Sequence, residues 1–487
     1  MAAPNQLIIM ADEFAMNAMG CAKGGTGHSV VKTPNLDRLA TRGARFTKAY
    51  TPSPMCVPAR AAFQTGLHVH QLRKWDSAQP YDGAPTGWAH WLRAAGHRVV
   101  SAGKLHYRSS DDDNGFDPEL LPLHVTGGQG WIPGLLRKNP LPFDASNFAG
   151  DAGRGGSSYS DYDRRICDAS KNWIKNEGAA ENGKPWVLFV SFVSPHYPIN
   201  APDAFFDLYD PEQIDMPFCY AAHERPKHPA VRRIIDGAGY DQHFRDEDHI
   251  RLARQAYYGL CSYVDHLVGE LLETLEDCGF GDTTTVLFTA DHGDMLGDHG
   301  TWTKMIMYEG SAGIPLILAG PGVPASRVVE TPVSLIDIAP SALQCAGQDA
   351  PDGAELPGGS LYDLATAPDD QDRTAFSEYH DGWSDTGSFM VRWDRWKYVH
   401  YEGYDAPQLF DLVDDPQESR DLGEDPGFAT IREEGARRLH TIVDPTVVNA
   451  QAFADQDALI EHYGGEQAIR KMQDLYFNYT PISDEAS

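Results

Sequence analysis

The sequence predicts an α/β protein: one large mixed, mostly parallel sheet flanked by helices, followed by a smaller C-terminal antiparallel α+β domain. Strand-length apolar runs at residues 7–11, 98–102, 186–193 and 284–290 alternate with amphipathic helical stretches, the pattern that builds a parallel sheet. Each run is followed closely by ionisable residues: Asp12 and Glu13, Lys104 and His106, His196, then Asp291 and His292. In open α/β sheets the functional edge is the one where the strands end. After about residue 365 short strands with tight turns take over, at 374–379, 388–393 and 396–401, an antiparallel pattern. The implied division is 1–365, 366–445 and a helical and aromatic tail at 446–487.

Composition narrows the function. With 487 residues, 41% of them hydrophobic, and 10 Trp, the chain can bury a large core. A formal charge of −30 argues against nucleic acid as a partner. It also repels anionic esters at long range, so any anion site must be a local pocket of cations and metal. The apolar runs are strand-length and too short to span a membrane, and no basic leader precedes the first strand. Seven scattered cysteines form no disulfide framework, so a cytoplasmic protein with reduced thiols is expected.

In chain order, 33–40 is a capped helix with Leu36, Leu39 and Ala40 on one face. Residues 46–51 lead into Pro54-Met55-Cys56-Val57-Pro58-Ala59-Arg60, where 59–64 reads as a helix start with Pro58 at its first position. Cys56 then sits at the positive end of a helix, with Arg60 four residues on. Such a cysteine is a packed structural thiol, a nucleophile of low pKa, or a site of modification. Residues 88–95 form a helix stopped by Gly96. Beyond strand 98–102, alternation puts Lys104 and His106 on one side of an extended segment, about 7 Å apart; alone, the pair reads as surface loop.

Residues 111–161 are loop-like and contain Trp131; long irregular segments of this kind shape pockets. A helix at 160–176 precedes strand 186–193, after which Pro195 and Pro198 hold His196 in an extended stretch. Residues 200–245 are a second irregular insertion, and 246–278 a long helix closed by Gly279. Asp291-His292-Gly293 joins a carboxylate and an imidazole in a tight turn, which is metal-ligand chemistry. Asp12 and Glu13 offer oxygen ligands, or form a turn acid pair. Residues 333–340 start a helix, 409–422 a closing strand and loop, and 428–440 a further helix. A helical stretch at 465–475 and the aromatic tail Tyr476, Phe477 and Tyr479 end the chain, docked on a partner subunit or folded back.

Five motifs in this order, Cys56-Val57-Pro58-Ala59-Arg60 with Thr65-Gly66, Gly103-Lys104-Leu105-His106, Pro195-His196-Tyr197-Pro198, Asp291-His292-Gly293 and the run ending in Lys304, resemble the type I, formylglycine-dependent sulfatases of the alkaline phosphatase superfamily. The resemblance spans roughly residues 5–425. It implies a catalytic α/β domain with an alkaline-phosphatase-like sheet. It also implies oxidation of Cys56 to formylglycine by a formylglycine-generating enzyme, and a divalent metal held by Asp12, Glu13, Asp291, His292 and the residue at 56. The family carries Asp-Asp where this chain has Asp12-Glu13, a departure. Oxygen ligands favour Ca²⁺, while His292 leaves Mn²⁺ open.

By the same resemblance one hydroxyl of the aldehyde hydrate attacks sulfur, with Lys104, Lys304 and Arg60 offsetting charge on the sulfuryl oxygens. His196, with Lys304, assists the departing alcohol, and His106 helps the second hydroxyl expel sulfate. The substrate class implied is an aryl or small alkyl sulfate monoester. Choline sulfatases and phosphonate monoester or phosphodiester hydrolases share the core and remain as alternatives, as does, from another class, a non-catalytic metal or anion binder with unmodified Cys56. Trp75, Trp131, His299, Glu378 and His380 are pocket candidates, although tryptophans more often serve as packing residues. A homo-oligomer, dimer or tetramer, is expected, with no membrane or nucleic-acid partner.

Overall fold

The computed structural model describes residues 3–22, 30–178 and 185–472. Its centre is β1 (Asn5–Asp12), whose Leu7, Ile8, Ile9, Met10 and Ala11 are all buried. A strand can be apolar on both faces only where layers cover both. Helices α1 (Pro34–Arg42), α4 (Ser158–Glu177) and α6 (Glu247–Asp277) pack together as one layer, and α2 (Cys56–Thr65), α3 (Trp88–Ala94) and α7 (Ile338–Cys345) as another.

The remaining strands of the large sheet are β2 (Gly43–Phe46), β3 (Arg98–Lys104), β4 (Glu119–Leu123), β5 (Trp186–Pro195), β6 (Thr284–Ala290), β7 (Leu316–Ala319) and β8 (Arg327–Val329), in the order β8-β2-β7-β6-β1-β5-β3-β4. β1 pairs in parallel with β5 and β6, and β3 with β5 and β4, while β7 runs antiparallel to β6 and β2. The register opposes Ala11 to Ala290, Asp12 to Pro195 and Gly103 to Ser191. Parallel pairing in this register brings the ends of β1, β3, β5 and β6 to one edge.

The small antiparallel sheet is β9 (Ala375–Tyr379), β10 (Ser388–Trp393), β11 (Trp396–Tyr401) and β12 (Gln408–Asp411). Helix α8 (Ala429–Ile442) covers it, and Phe376, Phe389, Val391, Leu409 and Leu439 share one buried cluster. Helix α9 (Pro445–His462) adds Val448 and Ala452 to that cluster. The backbone of β9 also reaches the main domain, with Glu378 N–H donating to Pro52 O at 3.0 Å.

Several local expectations are corrected. Helix α2 begins at Cys56, so Pro58 is its third residue, still within the turn whose N–H groups need no helical partner. His106 has φ 61°, so the extended run stops at Lys104. The insertions are more regular than their composition suggests: β4 lies within 111–161, and the amphipathic helix α5 (Pro229–Ala238) within 200–245. Of the helical stretch at 465–475, Glu466–Ile469 is helical, and residues from 473, including the aromatic tail at 476–479, lie outside the described part.

Candidate active site

Two carboxylates and an arginine frame the site. Asp12 ends β1 and Asp291 follows β6; both are buried. Asp291 Oδ1 accepts the backbone N–H groups of Glu13 at 3.2 Å and His292 at 3.0 Å, tying the two strand ends together. Glu13 turns the chain with φ 63°, and Tyr257 of α6 steadies the turn by donating to Glu13 O at 2.6 Å while accepting from Ala15 N–H at 2.9 Å. At Gly293 the backbone passes so close that a Cβ would lie 2.0 Å from Gly310 O.

Arg60, one turn into α2, reaches back under the edge. Its guanidinium donates to Asp291 Oδ2 at 2.8 Å, Asp12 Oδ2 at 3.0 Å, Lys104 O at 2.7 Å and Ser191 Oγ at 2.9 Å. A planar fork with fixed N–H directions suits this task, joining β1, β3, β5 and β6 through one side chain. Its donors are thus committed inward, to two carboxylates, a backbone carbonyl and the Ser191 hydroxyl.

Cys56 lies between these acids and His292. Its Sγ is 3.0 Å from His292 Nε2 and 3.7 Å from Asp12 Oδ1. Donor atoms of Asp12, Cys56, Asp291 and His292 all lie within 4.8 Å of one another, and a second such group joins Asp12, Glu13 and His196. His292 Nδ1 lies 3.1 Å from Gly293 O, which assigns that nitrogen the proton and leaves Nε2 with a lone pair for a cation. Glu13 Oε2 accepts from Lys304, but Oε1 is buried with no hydrogen-bond partner. A carboxylate oxygen shut away from water without a donor is an atom that a cation satisfies. The donor set, carboxylates with one imidazole, fits a divalent metal.

Two ammonium groups and two imidazoles complete the cluster. Lys104 Nζ is 2.5 Å from Asp12 Oδ2. Lys304 Nζ is 3.0 Å from Glu13 Oε2 and 2.8 Å from His196 Nε2. His196 Nδ1 donates to Tyr197 O at 2.8 Å, so Nε2 is free to accept from the Lys304 ammonium. Burial opposes charge throughout. Asp12 would be raised by burial, yet Lys104, His196 and Arg60 hold it well below the usual carboxylate range. Burial pushes the Cys56 thiol up to about 12, with Asp12 adding to the effect. Burial and the neighbouring Lys304 hold His196 well below the usual imidazole range, while burial, opposed by Lys304, raises Glu13 to about 7. Lys304, disfavoured by burial, is kept protonated by the charges around it.

A profile of the sulfatase family matches residues 4–348. The chain belongs to the sulfatase family. A second profile, that of the N-sulphoglucosamine sulphohydrolase C-terminal region, matches residues 297–444 of this sulfatase. It is 34% identical over 431 residues to choline-sulfatase of Rhizobium meliloti (strain 1021), covering 87% of this chain and 83% of the relative. It is 30% identical over 499 residues to arylsulfatase K of Danio rerio, covering 98% and 90%. Among solved structures, phosphonate monoester hydrolase of Agrobacterium radiobacter superposes with a TM-score of 0.72 at 25% identity, covering 92% of this chain and 96% of that one. The sulfatase is thus a sulfuric ester hydrolase with the alkaline phosphatase superfamily fold.

In this sulfatase Cys56, His106, His196 and Lys304 all open onto a cavity of about 480 Å³. Its walls are aromatic: Trp131, Phe143, Tyr159, Tyr197, Tyr240 and Trp383. Trp383 lies 5.0 Å from Trp131 and 5.3 Å from Phe143 between ring centroids. Asp151 is the acidic residue among those lining it.

Of the pocket residues read from the sequence, only Trp131 lies here. Trp75 is sunk in the small-sheet cluster, with its indole N–H donating to Asp455. Glu378 and His380 are buried outside the cavity lining, where Glu378 accepts from His70 N–H and pairs with His380 Nε2 at 3.0 Å. His299, at φ 57°, turns away to place Nε2 2.8 Å from Gln417 O and its ring against Tyr308. Each was set aside by packing partners distant in sequence. Apart from Trp131 the aromatic wall was missed because its members come from both insertions, the turn after β5 and the turn after β9; the visible signal was aromatic residues within otherwise polar loops.

Proposed function

We propose that this enzyme hydrolyses sulfate monoesters of aryl or small alkyl alcohols, using formylglycine made from Cys56 and a divalent cation, Ca²⁺ before Mn²⁺. The observation that carries the reading is the place of residue 56. Its side chain lies among the buried acids and His292, and also on the floor of an aromatic cavity. Asp12, Glu13, Asp291, His292 and the group at 56 would hold the cation, which when bound supplies Lewis acidity at that point. The hydrated aldehyde supplies the nucleophilic hydroxyl and a second hydroxyl for release of sulfate.

The chain's own residues do the rest. Lys104 and Lys304 present positive charge beside residue 56, where the sulfuryl oxygens gather charge in the transition state. Arg60, with its donors turned inward, holds Asp12 and Asp291 in place. Lys304, its ammonium held by Nε2 of the neutral His196, gives a proton to the departing alcohol oxygen and is left as the amine, so His196 aims the proton that the leaving group takes. His106, on the cavity wall, takes a proton during sulfate release. The aromatic rings exclude water and receive the alcohol.

Asp163 of α4 serves His196 indirectly. Fully buried, it accepts the N–H groups of Val193 at 2.7 Å and Ser194 at 2.9 Å, and His196 N–H returns to Val193 O at 3.1 Å. The segment therefore turns here and is not extended. Asp163→Asn points an N–H at one of those backbone donors and loosens the turn. The expected loss in kcat is about tenfold to hundredfold, within what a positioned proton donor contributes. It should be larger for phenyl sulfate than for 4-nitrophenyl sulfate, whose alcohol needs less protonation. Equal losses on both esters would remove His196 from leaving-group chemistry.

Choline sulfate is a second reading, favoured by the Trp131 and Trp383 pair with Asp151 in one lining, which suits a quaternary ammonium. One panel tests both: kcat/KM for 4-nitrophenyl sulfate, choline sulfate and a phenyl phosphonate ester. A sulfate ester is expected to lead. A preference on the order of 10³ for the phosphonate overturns the sulfatase substrate reading.

A further inference from the structure

Helix α9 begins at Pro445, directly after residue 444, where the second family profile ends. One of its side chains is nevertheless bonded to the segments that carry the cavity wall. Gln456 is 1% exposed. Its Nε2 donates to Asp76 Oδ2 at 2.6 Å and His380 O at 2.7 Å, and its Oε1 accepts from Arg137 Nη1 at 2.9 Å. The other guanidinium nitrogens of the buried Arg137 donate to Ser384 O at 2.8 Å and Thr386 O at 2.5 Å. Gln456 and Arg137 together therefore grip the backbone on both sides of Trp383.

We propose that Gln456 is a positioning residue for the alcohol side of the cavity, setting the wall made by Ser77, Trp131 and Trp383 and through it substrate selectivity. The proposal rests on reading that cavity as the seat of the ester's alcohol. Trp383 has φ 59°, a conformation that a large side chain keeps only where its surroundings over-determine it. Those surroundings form one connected set. Asp381 accepts from Gly382 N–H at 2.7 Å and from the N–H and hydroxyl of Ser77 at 2.8 and 2.6 Å. Ser77 O in turn accepts Trp131 N–H at 2.9 Å. A shift at 380–386 is thus passed to both tryptophans. Buried polar networks of this kind fix one arrangement where apolar packing would tolerate several.

The test uses full-length protein in Ca²⁺ buffer, carrying Cys56→Ala so that binding is read without turnover. Gln456→Met removes all three hydrogen bonds at similar volume. Calorimetry should show 4-nitrophenyl sulfate binding weakened about tenfold, the order expected from losing buried hydrogen bonds. Methyl sulfate, too small to reach the wall, should change by less than about twofold. Deuterium exchange should quicken at 380–386. Adding Trp383→Ala should cost little beyond Trp383→Ala alone, because both act through one wall. Equal weakening of both esters, fully additive losses, or unchanged exchange and affinity would each overturn the proposal. If the parent binds neither ester, the substrate reading fails, and exchange alone then decides: faster exchange confined to 380–386 supports Gln456, and no change refutes it.

Discussion

Replacing Cys56 by serine or alanine should abolish nearly all turnover, on the order of 10⁴-fold or more, while the protein stays folded. The residue is buried at the first position of α2, and its Sγ has Asp12 and His292 of the site as hydrogen-bond partners. Deleting a single sulfur leaves the helix, the Arg60 clamp and the aromatic wall in place. Thermal midpoints should therefore move by no more than a few degrees. Burial, with Asp12 beside it, raises the thiol to about 12, which disfavours a thiolate at this position.

The two substitutions differ in a way that tests the chemistry. Serine keeps one hydroxyl and could accept a sulfuryl group once, but has no second hydroxyl to expel it. A stoichiometric burst followed by arrest is expected for Cys56→Ser, and neither phase for Cys56→Ala. In the wild type, co-expressed with a maturing enzyme, the peptide containing residue 56 should be lighter by about 18 Da, as CH₂SH becomes CHO. Full activity at the unmodified thiol mass would refute formylglycine, and wild-type rates in either variant would refute residue 56 as nucleophile.

Much of the frame was legible because it is local. Residues 7–11, 98–102, 186–193 and 284–290 are apolar over a strand's length, and each leads directly into Asp12, Lys104, His196 or Asp291. Parallel pairing then converges those ends with no further information. The Arg60 fork was less readable. Four residues after Cys56 it resembles a contact for substrate, and only the three-dimensional edge shows its donors spent on Asp12, Asp291, Lys104 O and Ser191. The cavity wall was least legible. Trp131, Tyr240 and Trp383 are far apart in sequence, and nothing local separates them from the packing residue Trp75. Glu378 and His380 alternate on β9 and the turn after it as functional groups would, but bond to each other, with Glu378 also bonded to His70.

Arg60→Met should produce the largest loss of stability of any single change at this edge, and the loss should depend on metal. The substitution preserves length and apolar stem but strips the partner from Asp291 Oδ2 and one of the two cationic partners from Asp12. It also leaves Lys104 O and Ser191 Oγ without their donor. Breaking a buried ion pair on one side costs about 3–5 kcal/mol, because the remaining charge stays buried and uncompensated. For 487 residues the unfolding entropy is about 1 kcal/mol per kelvin, so the midpoint in EDTA should fall by about 3–5 °C. Excess Ca²⁺ should recover part of this and stabilise the variant more than the parent, since the same two carboxylates would then face a cation. Arg60→Lys should fall between, retaining charge but not the fork that joins four strands. A variant that melts with the parent in EDTA would show that Asp12 and Asp291 do not depend on Arg60. A variant that melts lower but gains nothing from Ca²⁺ would instead remove those carboxylates from the metal site.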